Sequence, residues 1–583
     1  MNASPLQVAQ APKDRASFGD VAEAQEFVAQ LERFEKGEIT SDQYRQYRLS
    51  RGIYGQRQDG VHMVRVKAPQ GVLSGAQLRV LADSCEKWSR GYGHVTTRQN
   101  FQFHAVKPEH VAPFMEALAN AGLTTREACS HTVRNVAGCP YAGVCGGAPF
   151  DVTPYGELVT RHFLRGKWGS GLPRKFKISI SGCPDDCAQG AMNDSGIIAR
   201  VENGQRGFRI LVGGGTATYT TSANVLHEFL PEPELLEACE AVVRVFHAEG
   251  ERKNLHKARM KWAIKRLGFD AFRAKYLEQR EAVRAEGGRP LPTLPPPETP
   301  PQLPALKTSL KVQATPAFLL WKQHSVKPQS QAGYSAINVW LRLGDLSASQ
   351  MRAIADLVET RGDGTIRTTQ SQNFVIRWIR NEDLQGLHAV LEGQGLASPH
   401  ADKISDVVTC PGAETCRIAV TASRGVAQLV GEHLRAKGAD ETAVSSADIR
   451  VSGCPNGCGQ NHIAAIGLQG AVRRLGSRLV PQYHVTIGGG IDGQGASFGR
   501  LVGKVPARRV PEAIDRLIAH FDAHKQPQET PRDYFKRLSA DEAKGVLGEL
   551  LDLTEANATP EDFIDLGSTT AFEVVAMDGE CAQ

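Results

Sequence analysis

The sequence predicts an α+β fold built twice in tandem, and three observations carry that prediction. The first is a repeat: LSGAQLRVLAD from Leu73 returns as LSASQMRAIAD from Leu346, 273 positions on, each copy preceded by an alternating apolar stretch, HMVRVKA or INVWLRL. RQNFQF from Arg98 meets SQNFVI from Ser371 at the same offset, while GCPYAGVC from Gly138 meets TCPGAETC from Thr409, and SGCPDDC from Ser181 meets SGCPNGC from Ser452, both 271 apart. The second is periodicity within a copy. Leu78, Leu81, Ala82 and Cys85 recur at helical spacing, whereas Phe101 and Phe103 alternate with Gln102 and His104 as strand residues do. The third is RPLPTLPPPETPPQLP, whose eight prolines between Pro290 and Pro304 can neither continue a helix nor serve a central strand, so it predicts an extended linker between the halves.

The elements then fall in order. A small front module of mixed α/β pattern is expected over 55–125, followed by a larger cysteine-bearing module over 126–285. The linker covers 286–316, the second small module 320–396 and the second large one 397–535. The tail 536–583 shows no pattern beyond a short helix. At roughly 150 residues per domain, 583 residues suit such a four-part chain. Hydrophobic residues at 41% and charged residues at 22% exclude a largely disordered, collagen-like or coiled-coil protein. Lys and Arg exceed Asp and Glu by only 68 to 63, so nothing demands nucleic acid as partner. No run of about 20 apolar residues occurs, and the start MNASPLQVAQAPKDR lacks a secretory layout. No membrane and a cytoplasmic home are the expectation.

In a reducing compartment clustered cysteines hold metal more often than disulfides. Eight of the twelve here form two quartets, Cys139, Cys145, Cys183 and Cys187, then Cys410, Cys416, Cys454 and Cys458, each spaced Cys-x5-Cys and Cys-x3-Cys. Four thiolates are the ligand set of a [4Fe-4S] cluster, and Gly-Cys-Pro turns present sulfur from a tight bend. Structural zinc and buried unligated thiols are the alternatives; the five-residue gaps count against zinc, which prefers closer pairs.

Duplicated quartets of this spacing resemble the sirohaem-dependent sulfite and nitrite reductases, from about Val61 into the 530s. The resemblance implies ferredoxin-like small modules, larger α/β modules related by a pseudo-two-fold axis, and sirohaem at their interface. It implies a [4Fe-4S] cluster on Cys410, Cys416, Cys454 and Cys458, with Cys458 also the axial ligand of the sirohaem iron. It assigns substrate and sirohaem binding to the N-terminal half: Arg98 in TTRQNFQFH, Arg134 in VRNV, and Lys175 and Lys177 in LPRKFK. Such guanidinium groups can fork onto oxyanion or carboxylate oxygens. The two lysines, placed on one face of a predicted strand, can stabilise negative charge and relay protons. Across the repeat these four positions hold Ser371, Ser405, Ser446 and Asp448, so one anion site is expected rather than two.

The implied reaction is six-electron reduction of sulfite to sulfide with an external ferredoxin or flavoprotein donor. Six-electron reduction of nitrite to ammonium is the close alternative. In the family, plant-type nitrite enzymes carry Asn where sulfite enzymes carry the second Lys of this motif, here Lys177. A non-catalytic iron–sulfur carrier and a related precorrin-modifying oxygenase fit less well, the first because it needs no assembled cations, the second because it is shorter. The N-terminal quartet departs from assimilatory members, which have lost those cysteines. It is read as a second [4Fe-4S] cluster, relay or structural, against remnant thiols.

Other signals carry less. GGGIDG places Gly488, Gly490 and Gly493 in a dinucleotide-like pattern, but its counterpart GGGTAT lacks the third glycine and neither copy opens a clear helix. The basic stretch Arg252 to Arg266 is expected first as a solvated face, with sirohaem carboxylates or an acidic ferredoxin as alternative ligands. His104 is expected as a strand or core residue. Cys85, Cys129, Cys239 and Cys581 receive no role.

Overall fold

The computed structural model describes residues 17–302, 314–575 and 580. Each half opens with a small antiparallel sheet. Ile53–Gly55, His62–Val66, Phe101–Val106 and Tyr92–Val95 lie side by side in the first, and Val326–Pro328, Tyr334–Val339, Phe374–Arg380 and Thr365–Thr368 repeat that order in the second. The fifth strand of each sheet comes from the other half: Asp345–Ser347 pairs with Tyr92–Val95, and Val72–Ser74 with Thr365–Thr368. Each exchanged strand runs into the repeated helix, Gly75–Trp88 or Ala348–Arg361, started by a capping box of Ser74 with Gln77 or Ser347 with Gln350. Leu78, Leu81, Ala82 and Cys85 are fully buried, in a core that also takes Met351, Ile354 and Val358 from the second copy. The small modules expected as two units therefore share one hydrophobic core.

The larger modules repeat a mixed sheet. Ala137–Gly138, Ile178–Ser181 and Ser195–Glu202 run parallel, then Gln205–Val212 and Asn224–Pro231 turn antiparallel. Val408–Thr409, Ile449–Ser452 and Ile466–Leu475, then Arg478–Ile487 and Arg500–Pro506, do the same. Apolar helices, Leu235–Glu249 and Val510–His524, are buried in the cores of these modules. In both halves the cysteines follow the carboxyl ends of two adjacent parallel strands, the edge where open α/β sheets bind ligands.

The proline-rich segment has no helix or strand over its described part, but it is no free spacer. Leu291 and Leu294 pack on the N-terminal large core, and Glu298 pairs with the buried Arg377 at 2.9 Å; Pro304 lies outside the described residues. The tail is likewise built in. Ala543, Leu547 and Leu550, in and just after the helix Ala540–Leu547, enter the C-terminal core, and Leu553 and Phe563 cover Val480. Among the described residues no helix is long and apolar enough to cross a membrane.

Candidate active site at the junction of the halves

Arg98 stands at the tip of the hairpin between Tyr92–Val95 and Phe101–Val106. The tip turns because Gln99 takes φ = 61°, left-handed and unfavourable for a residue with a Cβ. Its side chain holds it there, accepting from Gly138 N at 2.7 Å and donating to Gly138 O at 3.0 Å. Gln372, at φ = 67°, does the equivalent in the second half, accepting from Thr409 N at 2.9 Å. Each hairpin tip is thus pinned to a strand that leads into a cysteine loop. The N-terminal tip also crosses to the other half, where Thr97 Oγ1 donates to Cys458 O at 3.0 Å.

Between them lies a cavity of about 1560 Å³, counted out to open solvent. Arg98, Arg134, Lys175 and Lys177 all line it, and Cys410 and Cys458 form part of its wall. Arg65, Arg174, Arg259 and Lys261 join them, so that among the described residues eight Arg and Lys side chains face the cavity and no Asp or Glu does. None of the N-terminal quartet reaches it.

The cations are held from behind. Arg98 donates to Asn193 Oδ1 at 3.1 Å and to Asn135 O at 2.7 Å, while its buried Nε has no partner. Arg134 differs from expectation: its guanidinium is tied to the carbonyls of Ala128 and Ser130 at 2.8 to 3.1 Å. It brings charge to the cavity, with its fork engaged by the backbone. Lys175 and Lys177 flank Phe176, which bridges to Val133, and the strand itself begins only at Ile178. Both lysines line the cavity all the same. Burial, and then crowding by Arg259, Arg98 and Lys175, holds the Lys177 ammonium well below the usual lysine range.

The basic stretch after Arg252 is only partly a solvated face. Arg259 and Lys261 turn inward: Lys261 Nζ donates to the carbonyls of Thr216 and Tyr219, and burial, then Arg259, pushes it down to about 7. Arg259 pairs with the fully buried Asp194 at 3.1 and 2.7 Å, and Asp194 also accepts Lys177 N at 2.9 Å. Asp194→Ala should therefore strand a half-buried guanidinium among like charges. The expected cost is about 3–5 kcal/mol, measured as a fall in holoprotein unfolding free energy; a change below about 1 kcal/mol would refute that role.

Both quartets gather. Burial, then Cys458, Cys410 and Cys416, raises the Cys454 thiol, and Gly453 N donates to Cys410 Sγ at 3.3 Å. In the first half Cys187 interacts with Cys139 and Cys183, and a Cβ built on Gly147 would lie 3.9 Å from both Cys145 Sγ and Cys183 Cβ. Thiols that discourage one another's ionisation need a metal to hold them as thiolates. Among the described residues no three Cys, His, Asp or Glu side chains close on a point as one ion requires; a cube of four irons asks for a wider set. His104 is a buried strand residue pushed down to about 3 by burial and then His94. Gly490–Asp492 enters a hairpin with Gly495–Ser497 rather than a helix. Cys85, Cys129 and Cys239 are buried, and Cys581 lies outside the described residues.

The chain is similar in sequence and fold to known proteins. A model of the nitrite and sulphite reductase 4Fe-4S domain matches residues 129–284 and 400–552, more than half of the chain. The chain belongs to the nitrite and sulfite reductase family. A model of that family's ferredoxin-like half domain matches 54–121 and 327–393. The chain is 28% identical to a chloroplastic ferredoxin–nitrite reductase of Betula pendula, over 83% of this chain and 81% of that one. It is 30% identical to a sulfite reductase [ferredoxin] of Mycobacterium tuberculosis, over 83% of each. The solved structure of the Mycobacterium tuberculosis NirA protein superimposes with a TM-score of 0.74 at 28% identity, covering 91% of this chain and 98% of the other. Nitrite and sulfite reductases are oxidoreductases that carry sirohaem and a [4Fe-4S] cluster. The cavity fits such a group: its cations complement a macrocycle edged with carboxylates, the orphaned Arg98 Nε offers a donor, and Cys458 offers a thiolate.

Proposed function

We propose that the protein reduces sulfite to sulfide with electrons from a ferredoxin-type carrier. In this reading Cys410, Cys416, Cys454 and Cys458 hold the [4Fe-4S] cluster and Cys458 is shared with sirohaem in the cavity. The observation that carries it is a single cavity that Cys458 lines together, among the described residues, with eight Arg and Lys side chains and no Asp or Glu. When bound there, cluster and sirohaem would supply low-potential, one-electron reduction to the anion.

The chain's own residues do the rest. The sulfite dianion must take up six electrons and seven protons, leaving hydrosulfide and three waters. Lys175 and Lys177 supply positive charge to hold the anion, and Lys177, held below the usual lysine range by burial and then by its cationic neighbours, can pass protons on. Arg98 is fixed by Asn193 and Asn135, so it meets the anion without a cost of ordering. Arg259 and Lys261 lie on the wall beside Trp262, where they suit the carboxylates of the macrocycle.

Nitrite is the second reading, supported by relatives named as ferredoxin–nitrite reductases at 28% identity over most of the chain. Lys177 favours sulfite, since a second ammonium better matches the larger charge of that anion. Steady-state turnover of both anions by the holoprotein, with reduced ferredoxin or methyl viologen, decides between them. A higher kcat/KM for sulfite is expected, and a clear preference for nitrite would overturn the assignment.

A further inference from the structure

We propose that Cys139, Cys145, Cys183 and Cys187 hold a second [4Fe-4S] cluster that is the electron entry point, and that its electrons reach the catalytic half through a glutamine bridge between the two cysteine loops. The proposal rests on the functional reading above, and its test separates the two.

The surroundings of the N-terminal quartet rule out a second macrocycle. Cys187 opens on a cavity of about 750 Å³ in which, among the described residues, three Arg and Lys meet four Asp. The repeat shows how the charge was cancelled. Asp448 stands where the first half has Lys177, and it pairs with Arg450 at 2.8 Å and with Arg532, the counterpart of Arg259, at 3.1 Å. Ala465 replaces Asp194 and gives its backbone N–H to Asp448 at 3.0 Å. A complete ligand set beside a site closed to polyanions has electrons as its remaining traffic.

The chain that flanks the quartet's second cysteine is the more open of the two, Gly146 and Gly147 being exposed where Arg417 and Ile418 are half-buried. Cys145 is followed by Gly146 and Gly147, where Cys416 is followed by Arg417 and Ile418. Gly146, Pro184 and Asp185 are exposed, and a Cβ built on Gly146 would meet nothing within 4 Å. Both loops are held by side chains, the first by Gln331 Nε2 to Gly143 O at 3.0 Å and by Arg377 to Ala142 O at 2.8 Å, but they differ next to the second cysteine. Arg57 donates from its side chain to Cys416 O at 3.3 Å and Ala419 O at 2.7 Å, whereas its counterpart, Ser330, reaches the first loop only through its backbone, to Val144 O at 2.9 Å. Glycine lets a partner's surface come close to the sulfurs.

The two loops meet at one point. Gln189 and Gln460 each follow the last cysteine of a quartet by two residues, each is buried, and each holds a left-handed φ, 61° and 63°. Gln460 Nε2 donates to Gln189 Oε1 at 2.6 Å, and Arg450 fixes Gln460 by donating to its Oε1. From Cys187 to Cys458 the path is two short covalent segments and one hydrogen bond. Each passage oxidises one reduced one-electron iron–sulfur carrier and reduces the N-terminal cluster by one electron. The next passage restores that cluster and reduces the C-terminal one, six times for each anion.

Metal analysis of anaerobically purified holoprotein should give about nine irons, two four-iron clusters and sirohaem. About five irons, with or without zinc, overturns the site. A Cys183→Ser, Cys187→Ser double variant should lose about four irons, keep the sirohaem absorption and methyl viologen turnover, and lose at least about tenfold in ferredoxin-driven turnover. Unchanged ferredoxin turnover in that variant overturns the entry role, and loss of sirohaem with the C-terminal cysteines intact overturns the assignment of halves. Should that variant not fold, Gln189→Leu keeps every ligand. Rapid mixing with reduced ferredoxin should then show prompt reduction of the N-terminal cluster and sirohaem reduction slowed about tenfold; an unchanged rate removes the bridge. Two clusters without turnover of either anion by viologen would support the site while refuting the functional reading alone.

Discussion

Cys458→Ser is expected to abolish six-electron turnover and strip the protein of sirohaem. Cys458 is the exposed member of its quartet, it faces the cavity, and the other cysteine on the wall, Cys410, is buried and already receives Gly453 N. A serine hydroxyl is a much poorer thiolate substitute for iron, so the variant loses cluster and macrocycle binding together. The fold should survive. The backbone at this position is fixed through its carbonyl by Thr97, which the substitution leaves in place. Absorption spectroscopy, iron analysis and circular dichroism on the purified variant separate these effects. Cys85→Ser, in the shared core of the small modules, is the control that should perturb stability without touching the spectrum. Full turnover by Cys458→Ser would sink the assignment of the C-terminal quartet.

Much of the architecture was legible because it is written twice. Offsets of 273 and 271 aligned the two helices, the two hairpin tips and the two cysteine sets, and periodicity named the buried face of Gly75–Trp88 residue by residue. The exchanged strands were not legible. Val72–Ser74 and Asp345–Ser347 are three residues each, too short for an alternation to show, and their partners lie in the other half. The tail failed for a related reason: Leu553 and Phe563 sit in short apolar clusters, LLDL and FIDL, that fit no helical or strand period, and only the edge they cover explains them.

At the site, sequence named the cations that sit in recognisable motifs and missed the ones that do not. Arg65 reads as an outward residue of an alternating strand, and Arg174 adjoins the named lysines without standing out. Lys261 lay in a stretch expected first as a solvated face, with sirohaem carboxylates only an alternative ligand, because lysine is rarely buried. What makes these residues a site is convergence from separate strands and loops onto one cavity, which local pattern does not encode. One signal was available. Set against the repeat, Lys177 and Asp194 become Asp448 and Ala465, an acid moved from one strand to its neighbour, and that exchange marks which half keeps its positive charge.

Lys177→Asn is expected to lower kcat/KM for sulfite by about 10²-fold or more, about 2.7 kcal/mol in the transition state, and to spare nitrite. The substitution removes one charge and shortens the side chain while leaving a polar group on it. In this cavity the charge is costly to keep: Lys177 is crowded by Arg259, Arg98 and Lys175 and makes no ion pair of its own among the described residues. Such a group gains most when an anion arrives, and it gains more from an anion of larger charge. The backbone N–H of residue 177 still meets Asp194 in the variant, so the pair with Arg259 and the wall of the cavity should stand. The pH profile adds a second readout. An ammonium held below its ordinary range loses its charge as pH rises sooner than a solvent lysine, so sulfite turnover should fall on the alkaline side in the wild type, and that limb should vanish with the lysine. Equal losses for both anions, with the alkaline limb retained, would make Lys177 an anchor for the macrocycle rather than the residue that selects sulfite.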